Sequence, residues 1–267
     1  MNQLSYWRKQ TSDKPLFPNI EWSKPEQRSQ AKKLAIIGGN KLGFLAPTEA
    51  YGTALKTGVG QCRVLLPEAL KSIVPKTITD VIYGANNPSG GLSQDAQPEV
   101  AAIADWSDGL LLIGDAGKNS DTAILYQNLV SDHAGPLVIT RDTIDLLMAD
   151  MPTILERPDT VLMVSFKQLQ KIFQSVYYPK VLTFSMQLLQ LAEALHKFTT
   201  TYDNVTIVVL HEGTLLVSRD GQVVSQDWPN PMALWTGSTA TRAAVYYVWN
   251  PTKPLEAITA SIAAQPV

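Results

Sequence analysis

The feature that most constrains the fold is a strand, glycine turn, helix and second strand near the N-terminus. An apolar run at 34–37 predicts a strand, and Gly38-Gly39-Asn40 follows it directly. A helix is predicted from about Pro47, because proline favours the first helical turn and Gly58 follows the expected end. The apolar segment 61–67 predicts the second strand. This order is typical of a βαβ unit, whose two strands lie parallel.

The same alternation continues along the chain. Two alternating runs around Asp220-Gly221 predict a β-hairpin with a type I′ turn. The pattern therefore predicts one α/β domain over 31–267, with a mostly parallel sheet and a late hairpin. Further strands are predicted at 109–114, 136–140, 160–165 and 204–210, and helices at 100–106, 121–130, 143–150, 180–198 and 240–249.

Residues 1–30 have a different character. They contain prolines at 15, 18 and 25 and the aromatic residues Tyr6, Trp7, Phe17 and Trp22. Prolines interrupt regular structure, whereas aromatic side chains bury readily. We therefore expect an extended arm that is pinned where its aromatic residues dock.

The charge content limits the classes of function. Charged residues make up 17% of the chain and hydrophobic residues 45%, with a formal net charge of −2. This excludes a disordered chain and argues against binding to nucleic acid through bulk charge. The sparse charge fits self-association, a large ligand cleft or an ordinary surface of neutral polar residues. We expect a homo-oligomer in which the arm lies across a neighbouring subunit.

Cysteine and histidine usage points to a protein of the cytoplasm without a metal site. Cys62 is the one cysteine, so no intramolecular disulfide forms, and its apolar neighbours indicate an inert core thiol. His133, His196 and His211 are too far apart in sequence for a metal-ligand motif. No signal-peptide core or membrane-spanning stretch is expected, so no membrane partner is predicted.

Ligands of parallel α/β sheets bind at the carboxyl ends of the strands, and four turns follow predicted strands or precede a helix there. Glycine in such turns lets backbone N–H groups approach an anion, although most such turns are glycine-rich for conformational reasons alone. Asp142 and Asp145, one helical turn apart, follow the strand at 136–140. The four turns are Gly38-Gly39-Asn40, Gly114-Asp115-Ala116-Gly117, His211-Glu212-Gly213 and Thr236-Gly237-Ser238-Thr239.

Taken in order, residues 31–250 resemble the ribokinase-like superfamily, and most closely its ADP/ATP-dependent NAD(P)H-hydrate dehydratases, the C-terminal half of the YjeF-type repair proteins. The segment from 35 to 70 is similar to that family's strand, glycine turn, aromatic-x-Gly-Ala-Pro segment and helix. The segment 136–147 is similar to its Pro-Leu-Val-Leu-Asp-Ala-Asp-Ala-Leu sequence. The matching residues are Gly38, Gly39, Phe44, Ala46, Pro47, Gly58, Gly60, Gly114 and Asp142.

The resemblance implies a three-layer sandwich, with helices on both faces of the sheet, and a set of ligand-binding residues. It implies ADP or ATP, with Mg²⁺, and a hydrated nicotinamide nucleotide as substrate. Residues implied to contact the nucleotide are His211, Glu212, Gly213, Thr214, Gly237, Ser238 and Thr239. Residues implied to contact the substrate are Gly38, Gly39, Asn40, Phe44, Ala46, Gly114, Asp142 and Ser165.

The chain departs from that family where the chemistry occurs. The family's Gly-x-Gly-Asp turn supplies amides for the phosphoryl group and an aspartate that takes the proton. Here Thr239 replaces the second glycine and Ala240 replaces the aspartate, and 165–168 lacks the family's His-Pro-Gly-Glu turn. The loss of a general base typically costs about 10²–10⁴-fold in rate.

Three hypotheses follow. The chain is a catalytically impaired relative that binds a nucleotide or another small ligand; or it is an active dehydratase in which Asp142 or Glu212 is the base; or it retains only the fold and has a structural or interaction role. A sugar kinase is the lesser enzyme alternative, because it too needs the missing aspartate.

Overall fold

A computed structural model describes residues 4–265. Within that range the strands, in chain order, are β1 (Trp7–Lys9), β2 (Lys33–Gly38), β3 (Gln61–Pro67), β4 (Val81–Gly84), β5 (Gly109–Gly114), β6 (Leu137–Thr140), β7 (Thr160–Val164), β8 (Val205–His211), β9 (Thr214–Arg219) and β10 (Gln222–Asp227). They form one sheet in the order β1-β10-β9-β8-β7-β6-β5-β2-β3-β4. β9 runs antiparallel to both its neighbours, and every other neighbouring pair is parallel. The predicted mostly parallel sheet is confirmed.

Helices cover both faces of this sheet. They are α1 (Pro18–Trp22), α2 (Leu45–Thr57), α3 (Gln97–Trp106), α4 (Ser120–Asp132), α5 (Asp142–Leu146), α6 (Met151–Glu156), α7 (Phe166–Ser175), α8 (Leu188–Thr201), α9 (Met232–Trp235), α10 (Ser238–Trp249) and α11 (Pro254–Ala263). One apolar core lies between one face of the sheet and the six helices from α3 through α8. A second core lies between the other face and α2, α10 and α11. The central strands are mostly apolar because both their faces are buried.

The predicted βαβ unit forms from β2, α2 and β3. Gly58 ends α2 in the left-handed conformation, with φ of +104°. Gly38, at the end of β2, lies against the carbonyl oxygen of Gly114, where a Cβ atom would collide with it. Glycine is therefore required at the end of β2 by the close approach of β5, whatever else this turn does.

The late hairpin is also confirmed. Asp220 and Gly221 connect β9 to β10 and have φ of +47° and +65°, as a type I′ turn requires. A second turn of the same kind, at Glu212 and Gly213, joins β8 to β9. The two turns place the antiparallel strands at one end of the sheet.

The N-terminal segment packs on its own chain. β1 pairs in parallel with β10, and the Trp7 indole donates a 2.9 Å hydrogen bond to the Ser225 hydroxyl. The buried amide of Gln10 donates to the Gln226 side chain and to the Thr259 carbonyl. The ring of Tyr6 stacks on His196 with centroids 4.0 Å apart. These contacts lie within a single chain.

One predicted helix was wrong in its extent. The segment 180–187 is irregular and α8 begins at Leu188, after a capping box between Gln187 and Gln190. Leu182 and Met186 are buried in that irregular segment, so they match helical spacing without being helical. No helix within residues 4–265 is long and apolar enough to cross a membrane.

Candidate functional site

Two adjoining cavities open at the carboxyl ends of β5 to β8. The larger is about 830 Å³ and lies between the loop after β5, the start of α5 and the start of α7. The smaller is about 430 Å³ and lies beside the ends of β7 and β8. They share a wall formed by Arg141, Ser165, Lys167, Gln168 and Trp235. The position is the one where open parallel sheets bind ligands.

Asp142 anchors the loop that borders the larger cavity. Its carboxylate accepts hydrogen bonds from the backbone N–H groups of Asp115, Ala116 and Gly117, at 2.8, 3.0 and 3.1 Å. Gly114 lies so close that a Cβ atom there would collide with the carboxylate. Burial raises the pKa of Asp142 above its usual value, although these N–H groups act in the opposite direction. The side chain thus acts first as an acceptor for the loop.

Asp115 ties this loop to two others. Its carboxylate pairs with Arg141 and also accepts the N–H of Ala46 at 2.9 Å. Its carbonyl accepts a 2.7 Å hydrogen bond from the Asn40 amide. Arg141 adopts φ of +58°, which is rare for a residue with a Cβ atom and common at functional sites. The loops after β2, β5 and β6 therefore form one connected unit.

Charged side chains of both signs are concentrated around the larger cavity. Lys118, Arg141, Lys167 and Lys171 line it together with three aspartates. Arg141 pairs with Asp115 and Lys171 with Asp145, whereas Lys118 and Lys167 form no ion pair with any residue of 4–265. Two lysines therefore remain available to an anion.

Lys118, Lys167, Lys171, Arg141 and Trp235 were not among the binding residues predicted from the sequence. A usable signal existed for Arg141 and Lys167, because both closely follow the carboxyl end of a predicted strand. Ser165 carried another signal. It caps α7 by accepting the N–H of Gln168 at 3.2 Å, in a Ser-x-x-Gln capping box.

No protein-family model matches the sequence, and no curated protein matches it. Solved structures do match. A ribokinase-like superfamily protein from Enterococcus faecalis aligns over 99% of this chain and 88% of its own, at 14% identity and a TM-score of 0.74. The ADP/ATP-dependent NAD(P)H-hydrate dehydratase of Bacillus subtilis, co-crystallised with ATP and Mg²⁺, aligns over 92% and 84% at 11% identity and a TM-score of 0.62.

This chain has the ribokinase-like fold. A hydroxyethylthiazole kinase from Pyrococcus horikoshii also aligns, over 92% of this chain and 80% of that one, at 13% identity and a TM-score of 0.56. The resemblance inferred from the sequence is therefore confirmed at the level of the fold. Sequence identities of 11–14% show a shared fold but do not show a shared activity.

On the ribokinase-like fold, the predicted substrate residues fall into two groups. Asp142, at the start of α5, lines the larger cavity, Gly114 ends β5 beside the Asp142 carboxylate, and Ser165 lies in the wall shared with the smaller cavity. The other predicted residues line neither of the two cavities: Gly38, Gly39, Asn40, Phe44 and Ala46. Asn40 and Ala46 reach the site through their hydrogen bonds to Asp115, and Gly39 N–H donates to the Gly114 carbonyl at 2.9 Å.

The predicted nucleotide turn after β8 has two buried ends, His211 and Thr214, and an exposed tip. The His211 ring is buried, makes a 2.8 Å hydrogen bond with the Met186 carbonyl, and stacks on Phe166. Thr214 is paired with His211 across the hairpin and is buried as well. Glu212 and Gly213 form the turn between them. None of these four residues lines either cavity.

The predicted anion-binding turn at the start of α10 is covered. Gly237 has φ of +87° and faces the Ile113 and Arg141 side chains. The Ser238 hydroxyl donates to the Ala233 carbonyl, and the Thr239 hydroxyl to Gln265. Ala240 is fully buried. Trp235, 61% exposed, is the residue of this region that borders both cavities.

The carboxylates around the site do not fit a magnesium ion held by the protein. Mg²⁺ prefers several oxygen ligands in octahedral geometry. Both oxygens of Asp142 accept N–H groups, and those of Asp115 are taken by Arg141 and Ala46. Within residues 4–265 no three His, Cys, Asp or Glu side chains are grouped as metal ligands.

Proposed function

We propose that this chain is an NAD(P)H-hydrate dehydratase-like protein with impaired catalysis, whose cleft retains the binding of a nucleotide or another anionic small molecule. The observation that carries the proposal is the start of α10. Residues 236–242 contain no carboxylate, and the buried Ala240 stands at the position of the expected base. An alanine methyl group cannot accept a proton, so the phosphoryl transfer that the resembling family performs lacks its base here.

The neighbourhood of α10 supports the same proposal. The Arg141 Cδ atom lies 3.8 Å from where a Cβ of Gly237 would stand, so its side chain occupies space beside the turn. The segment of the resembling family has alanine at the position of Arg141. The nucleotide is proposed as ADP or ATP because dehydratase neighbours of this fold were crystallised with ATP and Mg²⁺. Any Mg²⁺ would enter with the nucleotide phosphates, and the two unpaired lysines would attract the same phosphates.

Two measurements test this proposal. Hydrated NADH is incubated with the protein and ATP or ADP, and absorbance at 340 nm is followed against a boiled control. We expect no turnover above that control. Isothermal titration with ADP and ATP, each with and without Mg²⁺, is expected to give saturable binding. Turnover would refute the impaired catalysis, and absence of heat with every nucleotide would refute the nucleotide as ligand.

An active dehydratase is the second candidate, favoured by one observation. Asp142 lines the larger cavity, and burial raises its pKa, which is the direction of shift that a carboxylate general base needs. Its three hydrogen bonds from backbone N–H groups oppose this role. If turnover is found, Asp142→Asn should abolish it, whereas Glu212→Gln should not, because Glu212 lines neither cavity. The opposite result would make Glu212 the base.

A structural or interaction role remains a third proposal, together with the homo-oligomer. Trp22 and Leu42, each 87% exposed, are large apolar side chains on the surface. Such residues favour subunit contacts when they are grouped. Light scattering tests this: a monomeric mass would exclude the homo-oligomer. The buried Cys62 supports the cytoplasm as the compartment, and a net charge of −2 supports small-molecule rather than nucleic-acid partners.

A further inference from the structure

The smaller cavity is apolar and offers few free hydrogen-bonding groups. Apart from Lys167, its polar side chains already have hydrogen-bond partners in the chain. The Thr140 hydroxyl donates to the Met163 carbonyl, and the Gln168 amide donates to the Arg141 carbonyl and to Asp145. The Gln168 oxygen accepts from the Ser165 hydroxyl and N–H. The apolar side chains facing this cavity are Met163, Val164, Phe166, Phe184, Leu210 and Leu234.

This lining selects against a nucleobase. A purine or pyrimidine carries ring nitrogens and exocyclic groups that lose their hydrogen bonds to water when they enter an apolar site. Leaving such groups unpaired costs about 1–3 kcal/mol each. A hydrocarbon ring or a short alkyl chain pays no such cost and gains from burial against Phe184 and Met163. The smaller cavity therefore fits the apolar part of a ligand.

The larger cavity complements an anionic group. Lys167 borders both cavities, and Lys118 stands on the β5–α4 loop at the larger one. Neither has an ion-pair partner within residues 4–265, while the neighbouring Lys171 and Arg141 are neutralised by aspartates. A phosphate or carboxylate placed here would gain charge-assisted hydrogen bonds from two free ammonium groups.

We infer that the two cavities together bind one amphipathic organic anion, with its phosphate or carboxylate beside Lys118 and Lys167 and its apolar ring or chain against Phe184. The inference deepens the proposed function, since it names the ligand class for the same cleft. It rests on the small-molecule part of that proposal and not on the nucleotide.

Isothermal titration with 1-naphthyl phosphate tests the inference, with inorganic phosphate, 1-naphthol and 1-naphthoate as comparisons. We expect 1-naphthyl phosphate or 1-naphthoate to bind with one-to-one stoichiometry, at least tenfold tighter than phosphate or naphthol alone. The tighter of the two anions identifies the head group. If naphthol binds as tightly, the lysines take no part, and if phosphate binds as tightly, the apolar cavity takes no part; either result overturns the inference.

Two exposed positions locate the site without threatening the fold. Lys167→Gln and Phe184→Ser should each weaken binding about tenfold or more, because one removes a charge-assisted hydrogen bond and the other an aromatic contact. The matched controls are Lys76→Gln and Trp22→Ser, at exposed positions lining neither cavity, which should bind as the unaltered chain does. Lys118→Gln replaces Lys167→Gln if circular dichroism shows that the latter is unfolded.

The variants and an ADP titration separate the two proposals. Unchanged binding in both Lys167→Gln and Phe184→Ser would overturn the inference, because the ligand would then bind elsewhere. Binding of ADP without binding of either naphthyl anion would also overturn it while leaving the nucleotide proposal intact. Binding of a naphthyl anion without ADP would support the inference and refute the nucleotide.

Discussion

Asp142 connects the start of α5 to the loop after β5, because its carboxylate accepts three hydrogen bonds from backbone N–H groups of that loop. From the sequence it was an implied substrate contact. The structure gives it a second, internal task, because Ala116 is almost fully buried and needs an acceptor for its N–H. If the carboxylate also took up a proton during catalysis, its hydrogen bonds to these N–H groups would weaken.

Truncation of Asp142 should therefore destabilise the chain. We expect Asp142→Ala to lower the free energy of unfolding by about 1–3 kcal/mol, because buried N–H groups lose their acceptor. Asp142→Asn should cost less, since the amide keeps one acceptor oxygen and removes the desolvated charge that raises the pKa of the carboxyl. Urea denaturation followed by circular dichroism measures both.

The control for Asp142 is Asp227→Asn, which breaks an exposed ion pair with Lys9. Exposed pairs contribute about 0–1 kcal/mol, so this variant should stay close to the unaltered chain. Equal losses in Asp142→Ala and Asp227→Asn would show that the loop after β5 does not depend on the carboxylate.

His133, at the end of α4, predicts a dependence of stability on pH. Burial, aided by the nearby Arg157, holds its pKa below the usual value of about 6.5 in the folded chain. The unfolded chain therefore takes up a proton first as the pH falls through about 6.5, and the folded state loses stability there. His133→Gln cannot titrate, so its free energy of unfolding should fall less between pH 7.5 and 5.5. Urea denaturation at both values tests this, and parallel changes in the two proteins would contradict it.

Charged residues of the site were harder to predict than its glycines. Gly38 and Gly114 stand out in the sequence because they follow apolar runs, and the structure explains Gly38 by the close approach of the Gly114 carbonyl and Gly114 by the close approach of the Asp142 carboxylate. The partner of Arg141 is Asp115, 26 residues earlier, so nothing local reveals that the two meet. A side chain that works through a distant partner is invisible to periodicity and turn rules.

At the level of helices and strands, burial on both faces made the central strands easy to predict. Apolar residues predominate in β2, β3, β5 and β8 because helices cover both faces of the sheet there. The helix prediction for 180–187 was wrong because helical spacing of buried residues is not unique to helices. Leu182 and Met186 lie four positions apart and are both buried, although their segment is irregular. α7 was missed although Ser165 and Gln168 mark its start, because these residues had been assigned to a substrate turn.

The N-terminal strand protects an edge of the sheet. β1 satisfies the outer backbone groups of β10, and Gln10 is buried against β10 and α11. Deleting residues 1–16 should expose β10 as a free edge, which favours pairing with a second copy. We expect the shortened chain to have a higher mass by size-exclusion chromatography with light scattering. A lower mass than the full chain would instead show that the arm joins neighbouring subunits.

On the scale of the whole molecule, the residues of the candidate site lie together at the carboxyl ends of the parallel strands. The parallel strands β5, β6 and β7 are followed by Lys118 and Arg141 in loops and by Lys167 in the first turn of α7. The sparse charge of the sequence was compatible with either subunit contact or a ligand cleft. Four of the 22 lysines and arginines line one cavity, so the cleft uses a notable share of the charge that exists.

Because the lysines lie at the carboxyl ends of the strands, a bound ligand should protect only that end of the sheet from hydrogen exchange. With saturating 1-naphthyl phosphate, hydrogen exchange should slow in 115–120, 141–148 and 165–171, since a bound anion restrains the local opening of these loops and helix starts. The loops 132–136 and 157–159 lie at the amino ends of β6 and β7, and their exchange rates should not change. Mass spectrometry of peptic peptides measures both sets, and Lys167→Gln at the same ligand concentration should show weaker protection. Equal slowing of exchange at both ends of the strands would mean that the ligand stabilises the whole chain, and it would contradict binding in this cleft.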